Sequence, residues 1–300
     1  MEKKLIAVVG TNASGKSSLG VELALRLGGE IVSADSRQVY RGLDLGSGKI
    51  TQEEMRGVAH HLLDVCEPNR FFSMAEFQRL AYAAIDDILT RGRQPLLVGG
   101  TGLYVDCVTE GYRLSEIPPD LAYRNELEKL DTPALYRLLL EKMPDAQVDS
   151  PNNRNRVMRL LERIAAGDME RPAPQPRYSV LKLGVTWDRQ TLDARIAQRL
   201  TLRLKAGMVD EVCALLAQGV PPAFLDKLGL EYRFLTRYLL GEYPSEEAME
   251  EALLHAIRRF ARRQMTWFRR DHSILWLDMT AQPLEQALRA AQAFLDPPAS

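Results

Sequence analysis

The chain has 300 residues, of which 46% are hydrophobic and 26% charged, and its net charge is −1. Such a composition fits a globular chain of one large domain with an insertion, or of two domains. It excludes a global field drawing the protein to nucleic acid, so any nucleic-acid footprint has to be a local patch.

The cysteines, Cys66, Cys107 and Cys213, lie far apart with no C-x-x-C pair. A disulfide framework is therefore not expected, and a reduced cytosol fits best. Met1-Glu2-Lys3-Lys4-Leu5 leads into an apolar stretch of about five residues, shorter than a signal peptide requires. No run approaches the ~18 apolar residues of a membrane span.

Leu5-Ile6-Ala7-Val8-Val9 reads as the first strand. Gly10-Thr11-Asn12-Ala13-Ser14-Gly15-Lys16-Ser17 follows and fits G-x-x-x-x-G-K-[ST] in full, with a helical pattern (Leu19, Leu23, Leu25, Leu27) behind it. Strand, loop and helix are the context a phosphate loop needs. Its glycines let backbone N–H groups close on phosphate oxygens, and the helix N-terminus adds partial positive charge. Lys16 is expected on the terminal phosphate and Ser17 on Mg²⁺. A chance match in a strand–turn–helix connection is the bland alternative. The motif specifies bound polyphosphate, with nucleoside triphosphate as the default carrier.

Ile31-Val32-Ser33-Ala34 is a second strand, ending in Asp35-Ser36-Arg37-Gln38-Val39-Tyr40. Open α/β sheets bind ligands at such strand ends. Asp35 reads either as the acceptor of a proton from an incoming nucleophile or as a helix cap or turn residue. Leu62-Leu63 is a weak third strand, and Leu96-Leu97-Val98 runs into Gly99-Gly100-Thr101. A P-loop NTPase needs an apolar strand ending in Asp to hold its Mg²⁺ shell. Leu96 to Val98 lacks one, and Leu62-Leu63-Asp64 is very short, so an ATPase reading lacks a part.

Beyond Pro118-Pro119 the pattern from Asp120 to Gly167 is helical only. Thr132-Pro133 reads as an N-cap followed by a first-turn proline, and Gly167 as a C-cap. Arg171-Pro172-Ala173-Pro174-Gln175-Pro176 reads as a stiff linker. Val180 to Trp187 and Ile274 to Leu277 are later strands. Ser245 to Arg270 is one long helix, capped by Ser245 and basic at its end through Arg258, Arg259, Arg262, Arg263, Arg269 and Arg270. Continuous apolar strands between helices predict a parallel sheet covered on both faces. The expected fold is α/β and P-loop NTPase-like with an all-helical insertion: a core over 1–116 and 177–300, and an insertion over 117–176.

The residues at 10–17 and 33–49 resemble the tRNA dimethylallyltransferases. So do His60-His61-Leu62-Leu63-Asp64-Val65 with Phe72-Ser73 and Phe77, Leu97 to Tyr104, and Ala261-Arg262-Arg263-Gln264-Met265-Thr266-Trp267-Phe268-Arg269. These blocks fall in family order over nearly the whole chain.

The resemblance implies transfer of a dimethylallyl group from its diphosphate to the exocyclic amine of the adenosine just 3′ of the anticodon. The P-loop would then hold prenyl diphosphate with Mg²⁺ rather than ATP. It implies Asp35 as proton acceptor, Thr101 lining the reaction channel, and Arg199 holding the diphosphate. Asp35, Ser36, Arg37 and Gln38 would contact the target base, which must leave its stack. Arg124, Asn155, Arg156 and Arg159 in the insertion, with Arg263 and Gln264 in the basic helix, would contact tRNA. For the arginines a solvated helix face is the competing reading, and Trp267 reads as core or as a stacking surface. The implied protein is a cytoplasmic monomer with tRNA and dimethylallyl diphosphate as partners and no membrane.

Three segments depart from the family pattern. Gly46-Ser47-Gly48-Lys49 stands for Gly-Thr-Ala-Lys, Gly229-Leu230-Glu231-Tyr232-Arg233 for a Gly-Tyr-Lys/Arg-Glu type segment, and Arg258-Arg259-Phe260 for Thr-Arg-x-Tyr. These departures are expected to bear on which tRNAs are bound. Prenyl transfer to free AMP, ADP or ATP, a P-loop small-molecule kinase and a nucleotide-switched RNA-binding protein remain as alternatives.

Overall fold

A computed structural model describes residues 2–115, 117, 118, 120–146, 152–168 and 173–296. Pro119 of the predicted breaker, Glu116 at the predicted boundary, and Arg171 and Pro172 of the predicted linker lie outside the described residues.

The chain forms two compact units, one of Met1–Gly111 with Pro176–Ser300 and one of Tyr112–Gln175. In the first unit, in chain order, come β1 (Lys4–Val9), α1 (Lys16–Leu27), β2 (Gly29–Ser33), a short α2 (Gln52–Met55), β3 (His60–His61), α3 (Met74–Thr90), β4 (Gln94–Gly99) and α4 (Gly102–Thr109). The second unit holds α5 (Leu121–Glu128), α6 (Thr132–Lys142) and α7 (Arg154–Ala165). The first unit resumes with β5 (Ser179–Thr186), α8 (Arg189–Lys205), α9 (Met208–Ala217), α10 (Pro222–Leu228), α11 (Leu230–Leu239), α12 (Glu246–Phe268), β6 (Leu275–Asp278) and α13 (Pro283–Leu295).

The strands make one parallel six-stranded sheet in the order β3-β2-β4-β1-β5-β6. This is a P-loop NTPase-like fold. Leu5 to Val9 in β1 have no exposed surface, because parallel strands are covered on both faces. On one face Ile6, Val8, Leu96, Val98, Leu183 and Val185 pack with Leu19, Val21 and Leu23 of α1 and Ala287 and Ala291 of α13. The third strand is His60–His61 rather than the expected Leu62-Leu63, since Leu62 turns to φ 66 and leaves the ladder.

In the helical unit, Leu127, Leu135, Leu139, Val157, Met158 and Leu161 form a separate core. Helix α6 is capped one residue earlier than predicted. Asp131 accepts from the Ala134 N–H, and Thr132 and Pro133 occupy the first turn. Ala166 is the C-cap of α7, and the predicted cap Gly167, at φ 75, follows it by one residue in the left-handed turn that ends the helix. Ser245 caps α12 through the Ala248 N–H. Among the described residues no helix is long and apolar enough to cross a membrane. Cys66, Cys107 and Cys213 are free thiols.

Candidate active site

The phosphate loop joins β1 to α1 through a backbone that few residues tolerate. Gly15, at φ 89, sits at the N-cap of α1, in the left-handed region open to glycine. Gly10 is pressed on β5, where a Cβ would stand 2.6 Å from Val185 Cγ2. Lys16 Nζ donates to the Thr11 carbonyl at 3.1 Å. Ser17 is exposed at the loop's mouth, and Ser14 Oγ is buried without a hydrogen-bond partner among the described residues.

Side chains from distant parts of the chain brace this loop. Gln264 of α12 accepts from the Asn12 N–H at 2.9 Å and donates to the Gly100 carbonyl at 2.8 Å, tying the end of β1 to the end of β4. The Trp187 indole N–H donates to the Ser14 carbonyl. Arg195 donates to the Ala13 carbonyl and stacks its guanidinium 4.5 Å over the Trp187 ring. Gln264 was expected to contact tRNA. It is buried, and both ends of its amide are engaged by the backbone, so its place is to hold the phosphate loop.

Beside the loop lies a cavity lined by Lys16, Ser17, Asp35, Arg199, Arg203 and Glu231, with Ile196, Leu200 and Ile257 as apolar wall. Burial and then the Arg199 charge press the Lys16 pKa down to about 8, with Asp35 opposing them. Arg199 is itself lowered to about 10, by burial and then by Arg203. A site that disfavours its own cations is built for an anion that restores the balance.

Asp35 follows β2 and ends up beside Lys16, which follows β1. Its Oδ1 accepts from the backbone N–H of Arg37 at 2.9 Å, a turn that also orients the carboxylate. Both sequence readings of Asp35, turn residue and cavity residue, therefore hold for one side chain. Thr101, after β4, accepts from the Ser36 N–H at 3.1 Å and donates from its own N–H to the Ala34 carbonyl. The ends of β1, β2 and β4 thus meet at one place, where a parallel sheet presents its ligand crevice.

Two other predicted base contacts are engaged internally. Gln38 accepts from Ser33 Oγ and donates to the Gly48 carbonyl, so its amide braces the cavity wall. Arg37 donates through Nε to the Leu228 carbonyl, and its guanidinium lies 5.5 Å from the Phe260 ring centre. Asp64, the weak candidate for a strand-end metal ligand, pairs with Lys49 at 2.5 Å. Among the described residues no three His, Cys, Asp or Glu side chains cluster to hold a metal.

The IPP transferase family model matches residues 38–271, and an isopentenyl transferase model matches residues 3–70. The chain belongs to the IPP transferase family. Among its relatives, the tRNA dimethylallyltransferase 2 of Citrifermentans bemidjiense is 44% identical over 95% of this chain and 94% of its own length. The tRNA dimethylallyltransferase of Salinispora arenicola is 45% identical over 96% of this chain and 86% of its own. The crystal structure of a tRNA isopentenylpyrophosphate transferase from Bacillus halodurans superposes with a TM-score of 0.73 at 39% identity, covering 98% of this chain and 96% of that one.

In this IPP transferase the helical unit carries four of the remaining predicted residues, Arg124, Asn155, Arg156 and Arg159. Asn155 and Arg156 are exposed on α7. Arg124 instead grips the buried carboxylate of Glu162 with Nε at 2.7 Å and Nη2 at 2.9 Å. Arg159 donates to Glu162 at 3.3 Å and to the Ile117 carbonyl at 2.6 Å. Of these two arginines, expected as tRNA contacts, Arg124 ties α5 to α7, and Arg159 ties α7 to the segment before α5. On α12 Arg263 is exposed, 5.6 Å from the Phe260 ring centre. Trp267 is half-buried: it donates to Asp106, packs on Gly102 and carries the Arg270 guanidinium 4.0 Å over its ring.

Sequence reasoning missed the latch on the Gly46–Lys49 segment. Glu211 accepts from the N–H groups of Asp44, Leu45 and Gly46, and Tyr232 bridges Glu211 to the Ser47 N–H. It also missed Arg195, Arg203 and Trp187. The one available signal was the repeat of arginine at every fourth position, Arg195, Arg199 and Arg203, which lines one face of a helix.

Proposed function

We propose that this enzyme transfers a dimethylallyl group from dimethylallyl diphosphate to the exocyclic N6 amine of the adenosine 3′-adjacent to the anticodon in tRNAs, releasing diphosphate. One observation carries the reading: Asp35 and Lys16, from the ends of different strands, line a single cavity. A proton acceptor thus faces a cationic grip for a leaving group. The C–O bond between the prenyl carbon and the diphosphate breaks, and its electron pair leaves with the diphosphate. A C–N bond forms to N6, and the N6 proton passes to the Asp35 carboxylate. The amine is a weak nucleophile, so losing that proton during attack lowers the barrier.

Lys16, Arg199 and the amides of residues 10–17 stabilise the charge that grows on the diphosphate. Ser17, exposed beside the cavity, would offer its hydroxyl to Mg²⁺. When bound, Mg²⁺ neutralises leaving-group charge. Thr101 fixes Ser36 and with it the Asp35 turn, so it orients the acceptor. Arg156, Asn155 and Arg263 are exposed and supply phosphate contacts to the anticodon stem-loop.

The test is direct. Protein, Mg²⁺, labelled dimethylallyl diphosphate and bulk tRNA are incubated, and label is expected at N6 of the adenosine next to the anticodon. Label on free AMP, or consumption of ATP alone, defeats the reading.

A further inference from the structure

Arg199 and Arg203 stand one turn apart on α8 and converge over Gly48. Arg199 Nη2 donates to the Gly48 carbonyl at 3.3 Å. A Cβ built on Gly48, whose φ is +62, would overlap Nη2 of Arg203 and crowd Nη2 of Arg199. The two guanidinium groups therefore meet in space that exists only because residue 48 has no side chain. Arg203 is held there by Glu231 of α11, at 3.5 Å, with side-chain exposures of 16% and 5%.

Charge makes this arrangement informative. Lys16, Arg37, Arg199 and Arg203 line the cavity against only Asp35 and Glu231. Like charges crowded away from water repel unless an anion joins them. Two guanidinium groups side by side present several N–H donors in planar forks, which match phosphoryl oxygens. Arg203 is too enclosed for the backbone of a macromolecule, whereas a small anion beside Lys16 and Arg199 is within the same cavity.

We propose that Arg203 is a second guanidinium on the diphosphate of the donor, seated by Glu231 and by the bare backbone of Gly48. The proposal rests on the prenyl-diphosphate reading above. Arg203 binds the leaving group together with Arg199 and Lys16, whereas Glu231 and Gly48 are positioning residues. The extra fork favours a diphosphate over a single phosphate, which cannot occupy Lys16 and both arginines at once.

The experiment compares the full-length wild type with Arg203→Leu, Arg203→Lys and Gly48→Ala. Calorimetry measures binding of inorganic diphosphate. Steady-state kinetics use dimethylallyl diphosphate and an anticodon stem-loop RNA. Arg203→Leu is expected to raise the diphosphate Kd and the donor KM about tenfold or more, the loss of a charge-assisted hydrogen bond, with the KM for RNA unchanged. Arg203→Lys recovers part of the loss. Gly48→Ala keeps Arg203 but fills its seat, so it reproduces the donor defect and decides the matter even where Arg203→Leu does not fold. Wild-type donor Kd and KM in a folded Arg203→Leu or Gly48→Ala overturn the inference and leave prenyl transfer standing. A defect confined to the KM for RNA overturns it equally. If the wild type puts no label into RNA, the transfer reading falls instead, and the diphosphate titration still decides for Arg203.

Discussion

Lys16 combines a full charge with a site that opposes it. Its pKa is lowered to about 8, first by burial and then by Arg199. Diphosphate binds the protonated form, so below about pH 8 Lys16 imposes no pH dependence. As pH rises through that value the free site loses the proton, and binding has to take one up. Donor affinity is expected to weaken above about pH 8, approaching tenfold per pH unit. Titrations in buffers of different ionisation enthalpy should report proton uptake there. A Kd that stays flat from pH 8 to 10 would place the titrating charge elsewhere.

Asp35 invites the complementary test. Asp35→Asn preserves the turn that Oδ1 makes with the Arg37 N–H but cannot accept the N6 proton. Turnover is expected to fall by roughly 10²–10⁴, the usual worth of a lost acid–base group, while tRNA binding persists. Full turnover in Asp35→Asn would remove this carboxylate from the mechanism.

At the scale of elements, α12 does two things that periodicity does not separate. Its buried stripe, Met249, Leu253, Ile257, Ala261, Gln264 and Phe268, packs inward, and Gln264 interrupts that apolar stripe in order to clamp the loop ends. The opposite face carries the exposed Arg259, Arg262 and Arg263, and the helix ends at Phe268, before the exposed Arg269 and Arg270 that the sequence pattern places on it. Gln264 lies within a basic run in the sequence, yet the helical turn of about 100° per residue sends it the other way.

In the second unit, Glu162 is the common anchor of Arg124 and Arg159. Removing one partner of a buried ion pair leaves charge uncompensated. Glu162→Ala is expected to destabilise the helical unit by about 3 kcal/mol. Hydrogen exchange should quicken across α5 and α7, while protection in β1 and β4 and the affinity for diphosphate stay unchanged. Equal loss of protection in both units would contradict the division of the chain at Gly111 and Pro176.

Across the whole molecule the net charge is −1, so nucleic-acid affinity has to come from local arginines rather than from a bulk field. Each phosphate neutralised adds a slope of about −0.7 to −0.9 in log K against log salt. Arg156, exposed on α7, is expected to weaken tRNA binding when changed to Ala and to flatten that slope by about one contact. An unchanged slope returns Arg156 to a solvated helix face. Arg124 and Arg159 make poor choices for this test, because their loss also loosens the helical unit.

The three departures from the family pattern also change meaning at this scale. Sequence alone assigned them to tRNA choice. In the structure Gly46 packs on Tyr232, Gly48 and Glu231 line the cavity beside Lys16, and Phe260 lies beside Arg37. Segments nearly two hundred residues apart in the chain thus meet around the cavity beside Lys16.

The sequence by itself determined the phosphate loop, the parallel sheet, the helical insertion and Asp35 as a strand-end residue. These are local facts: a glycine pattern, runs of apolar residues and a strand that stops. The tertiary structure alone decided which polar side chains remain available. Gln264, Arg124 and Arg159 carry the donors that recognition needs, and each is engaged by a partner distant in the chain, while Gln38 is engaged by Gly48 in the adjoining loop. Arg203 repeats the four-residue spacing of Arg195 and Arg199, but that spacing gives only its helix face; it reaches the cavity where Gly48 makes room and Glu231 holds it. A residue type states what a side chain can bond, but burial and long-range packing determine which partner it has.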